Sequence, residues 1–357
     1  MSDRPLRVLV VDDSPTVRAR IAAALSADAG FAVAGESADG RAALERCVAL
    51  RPDVVTLDLQ MPAMNGVEAA EAIMAFAPTP ILVVSSADNR GDLLHTYDAL
   101  SAGAVDVLEK PRGDAADDDW DRRLRDAVRM AARIRVITHP RARLNAARRA
   151  AETAEPAEVA APSTGAVVAL GASTGGPGAL RDILGALPRG FPAPIAVVMH
   201  VAQAFAAGFV EWLAGRTALS VAQAKDGDPL WTPGRVVVAP AGRHLSIRDG
   251  RWRLLETPER HSCRPSVDVL FETAAAELGP RLCACLLTGM GRDGAAGLLA
   301  VKNAGGATIA EDESTAVVFG MPREAVQLGA AHQVLPRPRI ARALLAFAEA
   351  RARKATP

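Results

Sequence analysis

Between residues 6 and 111, short apolar runs alternate with longer segments whose apolar residues recur every third or fourth position. The runs LRVLVV, DVVTLDL, PILVVSS and AVDVLEK predict strands of a sheet covered on both faces, because their apolarity is continuous rather than alternating. TVRARIAAALSA, GRAALERCVAL, GVEAAEAIMAFA and LLHTYDALSAG, lying between them, predict helices. Repeated βα units imply a parallel sheet with helices on both sides. The alternation resumes after residue 165: AVVAL, PIAVVM, LSVAQA, RVVVAP, RLCACLLT and GATIAE predict strands, and HLSIRDGRWRLLE predicts a hairpin that turns at Asp249-Gly250. Between the two regions, residues 117–137 read as an amphipathic helix with Trp120, Leu124, Val128 and Ile134 on or near one face. Residues 138–164 lose periodicity and are rich in Ala, Pro, Arg and Glu, the composition of a linker of partial helicity. The expected organisation is α/β: one doubly wound parallel-sheet domain over 1–137, a linker over 138–164 and a second such domain over 165–357.

Length and composition agree with this division. The chain has 357 residues, enough for two or three domains, and half of them are hydrophobic. Lys+Arg and Asp+Glu both number 41, so net charge offers no case for nucleic acid or membrane partners. No apolar run reaches the ~18 residues of a membrane span, and the start lacks the pattern of a secretory signal. The four cysteines include no CxxC pair; Cys283 and Cys285 share one face of an apolar strand, as buried thiols in a reducing cytoplasm would. The arginines at 135, 141, 143, 148 and 149 form either a binding face or a solvated run. No internal repeat and no downstream helix-turn-helix pattern is present.

The polar residues that interrupt the first four runs fall at their C-terminal ends: Asp12 and Asp13, Asp58, Ser85 and Lys110. In a parallel sheet these ends share one edge, so three carboxylates, a hydroxyl and an ammonium converge there. Clustered carboxylates repel and call for a cation, and an oxygen-only set suits Mg²⁺. Asp58 is then placed to attack a phosphoryl donor. Helix capping alone accounts for Asp12 or Asp13, but not for Asp58 together with Lys110 before Pro111.

In the second domain, AVVALGASTGGPG sets Ser173 in a glycine turn between a strand end and the helical pattern PGALRDILGAL. Open α/β sheets place ligands and chemistry at such a position. A glycine-rich phosphate loop also fits the segment. A hydroxyl nucleophile needs a base and a group to orient that base. Of six histidines, His200 ends the strand IAVVM and so shares the edge of Ser173. Asp293, in the loop GMGRDG after RLCACLLT, is the candidate orienting carboxylate, with an N-cap of the following helix as its plainer reading. GASTG fits G-x-S-x-G, but the order Ser–His–Asp is not that of the α/β-hydrolases. Thr174, the N–H groups after Ser173 and the loop around Met290 are candidates to surround an oxyanion.

These residues carry two resemblances. Residues 6–111 resemble the receiver domain of two-component response regulators, which implies a flavodoxin-like fold with Asp58 as phosphoacceptor. By that resemblance Asp13, Asp58 and the carbonyl of Gln60 hold Mg²⁺, Asp12 acts from the acidic pair, and Ser85 and Lys110 contact the phosphoryl group. The aromatic residue usual on the last strand is replaced by Val107. Residues 166–350 resemble the catalytic domain of chemotaxis protein-glutamate methylesterases through GASTGGPGAL, the strand ending in His200, RPSVDVLFETAA, LLTGMGRDGAAGLLAVKNAGG and AEDESTAVVFGMPREAVQLGA. This resemblance implies a Rossmann-like three-layer fold, a triad of Ser173, His200 and Asp293, and no cofactor for the esterase site. The implied activity is hydrolysis of receptor methylglutamates, with glutamine deamidation beside it. The implied partners are methyl-accepting chemotaxis receptors as substrate and a chemotaxis histidine kinase as phosphodonor, with a cytoplasmic location. Departures are VAQAFAAGF after His200, which lacks the usual proline-rich turn, and Cys263, where histidine often precedes RPS; both bear on recognition of the substrate helix. A receiver-controlled esterase or amidase with another substrate, or a non-catalytic binding module, are the competing readings.

Overall fold

A computed structural model describes residues 4–86, 89–111, 117–134, 136 and 165–355. The chain forms two compact units, Met1–Thr153 and Ala154–Pro357. The linker assigned to 138–164 and its arginines, with Arg135, lie outside the described residues.

In the first unit five strands alternate with five helices: β1 (Leu6–Val11), α1 (Pro15–Ser26), β2 (Phe31–Ser37), α2 (Gly40–Leu50), β3 (Val54–Leu57), α3 (Gly66–Phe76), β4 (Ile81–Ser85), α4 (Arg90–Ala102), β5 (Asp106–Glu109) and α5 (Asp118–Ala131). The strands pair in parallel in the order β2-β1-β3-β4-β5. β2 is absent from the sequence-based assignment for a physical reason. It is an edge strand whose middle residues are half-buried, and its pairing with β1 slips between Val8 and Leu9, so it shows neither a continuous apolar run nor clean alternation. α5 ends at Ala131, short of the expected residue 137; Trp120, Leu124 and Val128 are buried as expected, joined by Ala131. The Trp120 indole N–H donates to the Glu109 carbonyl at 2.8 Å, tying α5 to the end of β5.

The second unit is built from β6 (Val167–Ala172), α6 (Gly176–Gly185), β7 (Ile195–Met199), α7 (Gln203–Ala214), β8 (Ser220–Gln223), β9 (Arg235–Val238), the antiparallel hairpin β10 (His244–Arg248) and β11 (Arg251–Leu255), α8 (Val267–Leu278), β12 (Leu282–Leu286), α9 (Ala295–Asn303), β13 (Ala307–Glu311), α10 (Met321–Gln327), β14 (Gln333–Leu335) and α11 (Arg337–Ala355). Seven strands form one parallel sheet in the order β14-β13-β12-β6-β7-β9-β8. The hairpin turns through Asp249 and Gly250, each at positive φ, the geometry that matches strand twist. α8 packs against α9 and β10. Its residues Leu270, Phe271 and Ala274 join Trp252, Leu282, Leu286 and Leu298 in one buried core. Cys283 and Cys285 are buried and unpaired on β12, and burial pushes the Cys283 thiol up to about 12.

Strand order places both sites. In the first sheet the chain leaves β1 toward β2 and leaves β3 toward β4, so the connections part at the C-terminal ends of β1 and β3. In the second they part between β6, which leads to β7, and β12, which leads to β13. Such a reversal opens a crevice at the strand ends, where doubly wound sheets bind ligands.

Candidate functional sites

In the first unit Asp12 follows β1, Asp58 follows β3, and Lys110 follows β5. Asp12 and Asp58 are buried, while Asp13 is exposed. Lys110 Nζ lies 2.9 Å from Oδ2 of Asp12 and 2.9 Å from Oδ2 of Asp58. Each carboxylate uses its other oxygen on the backbone: Asp12 Oδ1 accepts from Ser14 N at 2.9 Å and Asp58 Oδ1 from Leu59 N at 2.8 Å. The two Oδ2 atoms meet the ammonium as ion pairs and have no aligned hydrogen bond. Burial pushes the Asp58 carboxyl up to about 6, helped by the Asp12 charge and opposed by Lys110. For Lys110, burial pulls downward, but the two carboxylates outweigh it and hold the ammonium above its ordinary value.

Oxygens of Asp12, Asp13 and Asp58 lie within 4.8 Å of one another. Two buried carboxylate oxygens without an aligned donor, in an all-oxygen set, fit a hard divalent cation such as Mg²⁺. Ser85 is buried at the end of β4, and its hydroxyl donates to the Ser86 carbonyl at 3.2 Å. Gln60 turns its side-chain amide to Asp92. Val107 is buried on β5, in the place where the resemblance leads one to look for an aromatic ring.

In the second unit Ser173 follows β6 and His200 follows β7. The two strands run in register to Ala172↔Met199, and His200 N donates to Ala172 O at 3.0 Å, so both side chains leave adjacent strand ends at one level. Two glycines shape the pocket around Ser173. Gly175 sits at φ 77°, and a Cβ there would come within 2.5 Å of Val317 Cβ. A Cβ on Gly289 would come within 2.8 Å of Ser173 Cβ and 2.3 Å of Met321 Sδ. The loop after β12 is thereby pressed against Ser173, whose N–H donates to Thr288 O at 3.0 Å. Thr288 Oγ1 in turn donates to the Thr174 carbonyl at 2.8 Å, and Met290 projects from the same loop, 44% exposed.

His200 Nε2 and Asp293 Oδ2 are 2.9 Å apart. Asp293 is 2% exposed, and its carboxylate is fully engaged: Oδ1 accepts from Ser266 Oγ at 2.7 Å and Asp268 N at 3.1 Å, and Oδ2 also accepts from Val267 N at 2.7 Å. Burial alone would raise the Asp293 carboxyl, but His200, Ser266 and the Val267 amide overcome it and hold it below the usual range. Burial likewise lowers the imidazole, yet the bond to Asp293 and the neighbouring Cys263 sulfur carry His200 up to about 9.

Asp293 does cap a helix, but not the one its sequence position suggests. The N-cap of α9 is Gly294, with no side-chain cap, whereas Asp293 accepts from the first two residues of α8. Asp268, also fully buried, accepts from Gly297 N at 2.6 Å and thereby pins the start of α9 to α8. The Cys263 Sγ lies 3.8 Å from His200 Nδ1.

The CheB methylesterase domain family matches residues 168–344, and the response regulator receiver domain family matches residues 8–116. A protein-glutamate methylesterase/protein-glutamine glutaminase 2 of Anaeromyxobacter dehalogenans is 49% identical over 342 residues, which cover 96% of this chain and 97% of the relative. A similarly named protein of Pseudomonas aeruginosa is 44% identical over 96% of each chain. The chain belongs to the CheB methylesterase family. The solved catalytic domain of the Thermotoga maritima CheB methylesterase is 39% identical, covering 51% of this chain and 98% of that one, with a TM-score of 0.49.

As a CheB-family hydrolase carrying a receiver domain, the chain has its Ser173, His200 and Asp293 at the strand-end crevice of one sheet and Asp12, Asp58 and Lys110 at that of the other. Sequence reasoning missed the support of the Asp293 carboxylate by Ser266, Val267 and Asp268. A signal was present: Ser266 stands immediately before the apolar periodicity of VDVLFETAA, and its Oγ does accept from Val269 N as an N-cap, at 3.5 Å. Among the described residues no helix is long and apolar enough to cross a membrane.

Proposed function

We propose that this protein hydrolyses the γ-methyl esters of glutamates on chemoreceptors, deamidates receptor glutamines at the same site, and is controlled by phosphorylation of Asp58. The observation that carries the catalytic half is the contact of His200 with a buried, fully hydrogen-bonded Asp293 at the strand end beside Ser173. Family membership supports the substrate class, since the relatives named above are glutamate methylesterases and glutamine glutaminases.

With Nε2 committed to Asp293, Nδ1 is the imidazole nitrogen left to take the Ser173 proton as Oγ attacks the ester carbonyl. The oxyanion that forms is met by N–H donors of the Thr174 turn and the Met290 loop. Collapse breaks the bond to methoxide, which leaves as methanol with the proton from His200. Water, deprotonated by His200, then attacks the acyl-serine and frees the glutamate. An amide follows the same course with ammonia leaving. Asp293 holds the Nε2 proton and stabilises the imidazolium. The test is methanol release from methylated receptor membranes with and without a small phosphodonor; activity confined to simple esters would defeat the substrate assignment.

In the receiver, Asp13, Asp58 and the Gln60 carbonyl would hold Mg²⁺, which when bound neutralises charge on the phosphoryl oxygens. Asp58 supplies the attacking carboxylate, and Lys110 and Ser85 approach the transferred group.

The electrostatics give two expected outcomes. An imidazole at about 9 is protonated at neutral pH and cannot act as base until it loses that proton. kcat/KM therefore rises with pH up to about 9, by roughly tenfold per unit well below it; a flat profile between about pH 6 and 9 would rule out His200 as the base. Stability moves the other way. Because the folded His200 value lies above the ordinary 6.5, its contribution is complete below 6.5 and disappears as pH climbs through 9.

For Asp58 the sign is reversed from that of a paired carboxylate. Its folded value is raised from 3.8 to about 6, so its ionised form costs stability above pH 6, a cost that vanishes below 3.8. Asp58→Asn in Mg²⁺-free buffer at about pH 7 accordingly gains on the order of 3 kcal/mol. The variant also takes up no phosphate from a phosphodonor. Thermal melts with and without Mg²⁺ check the first effect, which Mg²⁺ diminishes by offsetting the same repulsion in the wild type.

A further inference from the structure

In the mechanism proposed above, the nitrogen of His200 that takes the Ser173 proton is the one that faces Cys263, and no step of that mechanism uses the thiol. Cys263 is half-buried and has no disulfide partner, the other three cysteines being buried in β12 and α2. Its Sγ stands 3.8 Å from His200 Nδ1. That spacing is what two ligands show across one tetrahedral ion, with ~2.3 Å to sulfur, ~2.0–2.1 Å to nitrogen and about 120° between them. The opposite nitrogen, Nε2, rests on Asp293, the outer-shell carboxylate that metal-bound histidines ordinarily have. Asp293 itself is not available as a ligand, because both its oxygens are taken by Ser266, Val267, Asp268 and His200.

The approach of Cys263 is fixed. His261 and Ser262 both lie at positive φ, 53° and 59°, and the chain closes on itself through paired Arg260 and Cys263 backbone bonds of 3.1 and 2.9 Å. Arg260 is anchored by two bonds to the Glu272 carboxylate, and His261 by Asp268 at 3.0 Å. Thiol and imidazole are therefore presented to each other by a braced turn and a strand end.

We propose that Cys263 and His200 form an inhibitory site for a soft divalent cation, zinc in the first place. Thiolate with imidazole selects zinc over magnesium or calcium. On binding at neutral pH, the Cys263 S–H and the His200 Nδ1–H each give a proton to solvent, and the thiolate lone pair and the Nδ1 lone pair, the one that otherwise takes the Ser173 proton, go to the metal. Two protein ligands leave the remaining positions to water, so occupancy is reversible. The inhibition rests on the reading of His200 as general base; the binding does not.

The test uses the full-length protein with excess Mg²⁺ to occupy the acidic cluster of the receiver, and Co²⁺ as the spectroscopic probe. Wild type develops a thiolate-to-cobalt charge-transfer band that zinc abolishes by displacement, and Cys263→Ala lacks the band. In parallel, methanol release is measured against zinc, each protein relative to its own zinc-free rate. Wild type is inhibited and recovers with a chelator. In Cys263→Ala the half-inhibiting concentration rises by more than the ~10–100-fold typical of losing an outer-shell partner. No band in wild type, or a band that persists in Cys263→Ala, overturns the site. A Cys263-dependent band without inhibition overturns the inhibitory role, and with it Nδ1 as the base.

Discussion

Ser173→Ala lowers methanol release by roughly 10⁵–10⁶ in kcat, leaving only what binding and oxyanion contacts supply. The size of the effect follows from position. Ser173 stands at the point where the connections from β6 and β12 part, with its Cβ and backbone N packed against Gly289, where any side chain would collide with them. Alanine keeps the residue-173 N–H bond to Thr288, so the fold and phosphate uptake at Asp58 stay intact. Burst and steady-state assays on methylated receptor membranes, with phosphate incorporation as the control, decide the matter. A rate above about one hundredth of wild type would show that another group is the nucleophile.

Asp293 is expected to matter twice, and two substitutions separate its roles. Asp293→Ala removes the acceptor for Ser266 Oγ, Val267 N and Asp268 N as well as for His200. Buried donors left without partners, and a helix start left uncapped, cost about 3 kcal/mol. The same change lowers kcat by roughly 10³–10⁴. Asp293→Asn returns an oxygen for Ser266 and Asp268 but puts an amide NH₂ toward His200, forcing the proton onto the nitrogen that should accept one. Stability then partly recovers while activity does not. Denaturant unfolding and methanol release, measured on both variants, form the check. If the asparagine protein keeps more than about a tenth of the wild-type rate, Asp293 is a helix cap and not an orienting carboxylate.

Much of both sites was legible because of one regularity. A polar residue that directly follows an apolar strand run must lie at the C-terminal edge of a parallel sheet, whatever the register. This regularity alone assigns Asp12, Asp58, Ser85, Lys110, Ser173 and His200 to the edges they occupy. The edge strand β2 escaped because half-exposure blurs its pattern. The bracing of Asp293 escaped for another reason. It comes from the start of α8, 25–27 residues away in the chain, and which helix N-terminus meets which strand end is decided by packing, not by local pattern. Reading Asp293 as a cap was right in kind and wrong in partner. The contact of Cys263 with His200 depends on a turn with two left-handed non-glycine residues, a conformation that the triplet HSC does not advertise.

The crowding around Ser173 also shapes how such a protein can diverge. Gly289 has no slack at all, yet Met290 and Arg292, its near neighbours, are exposed. Substitution is therefore channelled outward along a single loop: closed at Gly289, which packs against the Cβ and N–H of Ser173, and open at the exposed side chains of the rim. Under the proposed function, preference among targets can change there by ordinary single substitutions that leave Ser173, His200 and Asp293 untouched.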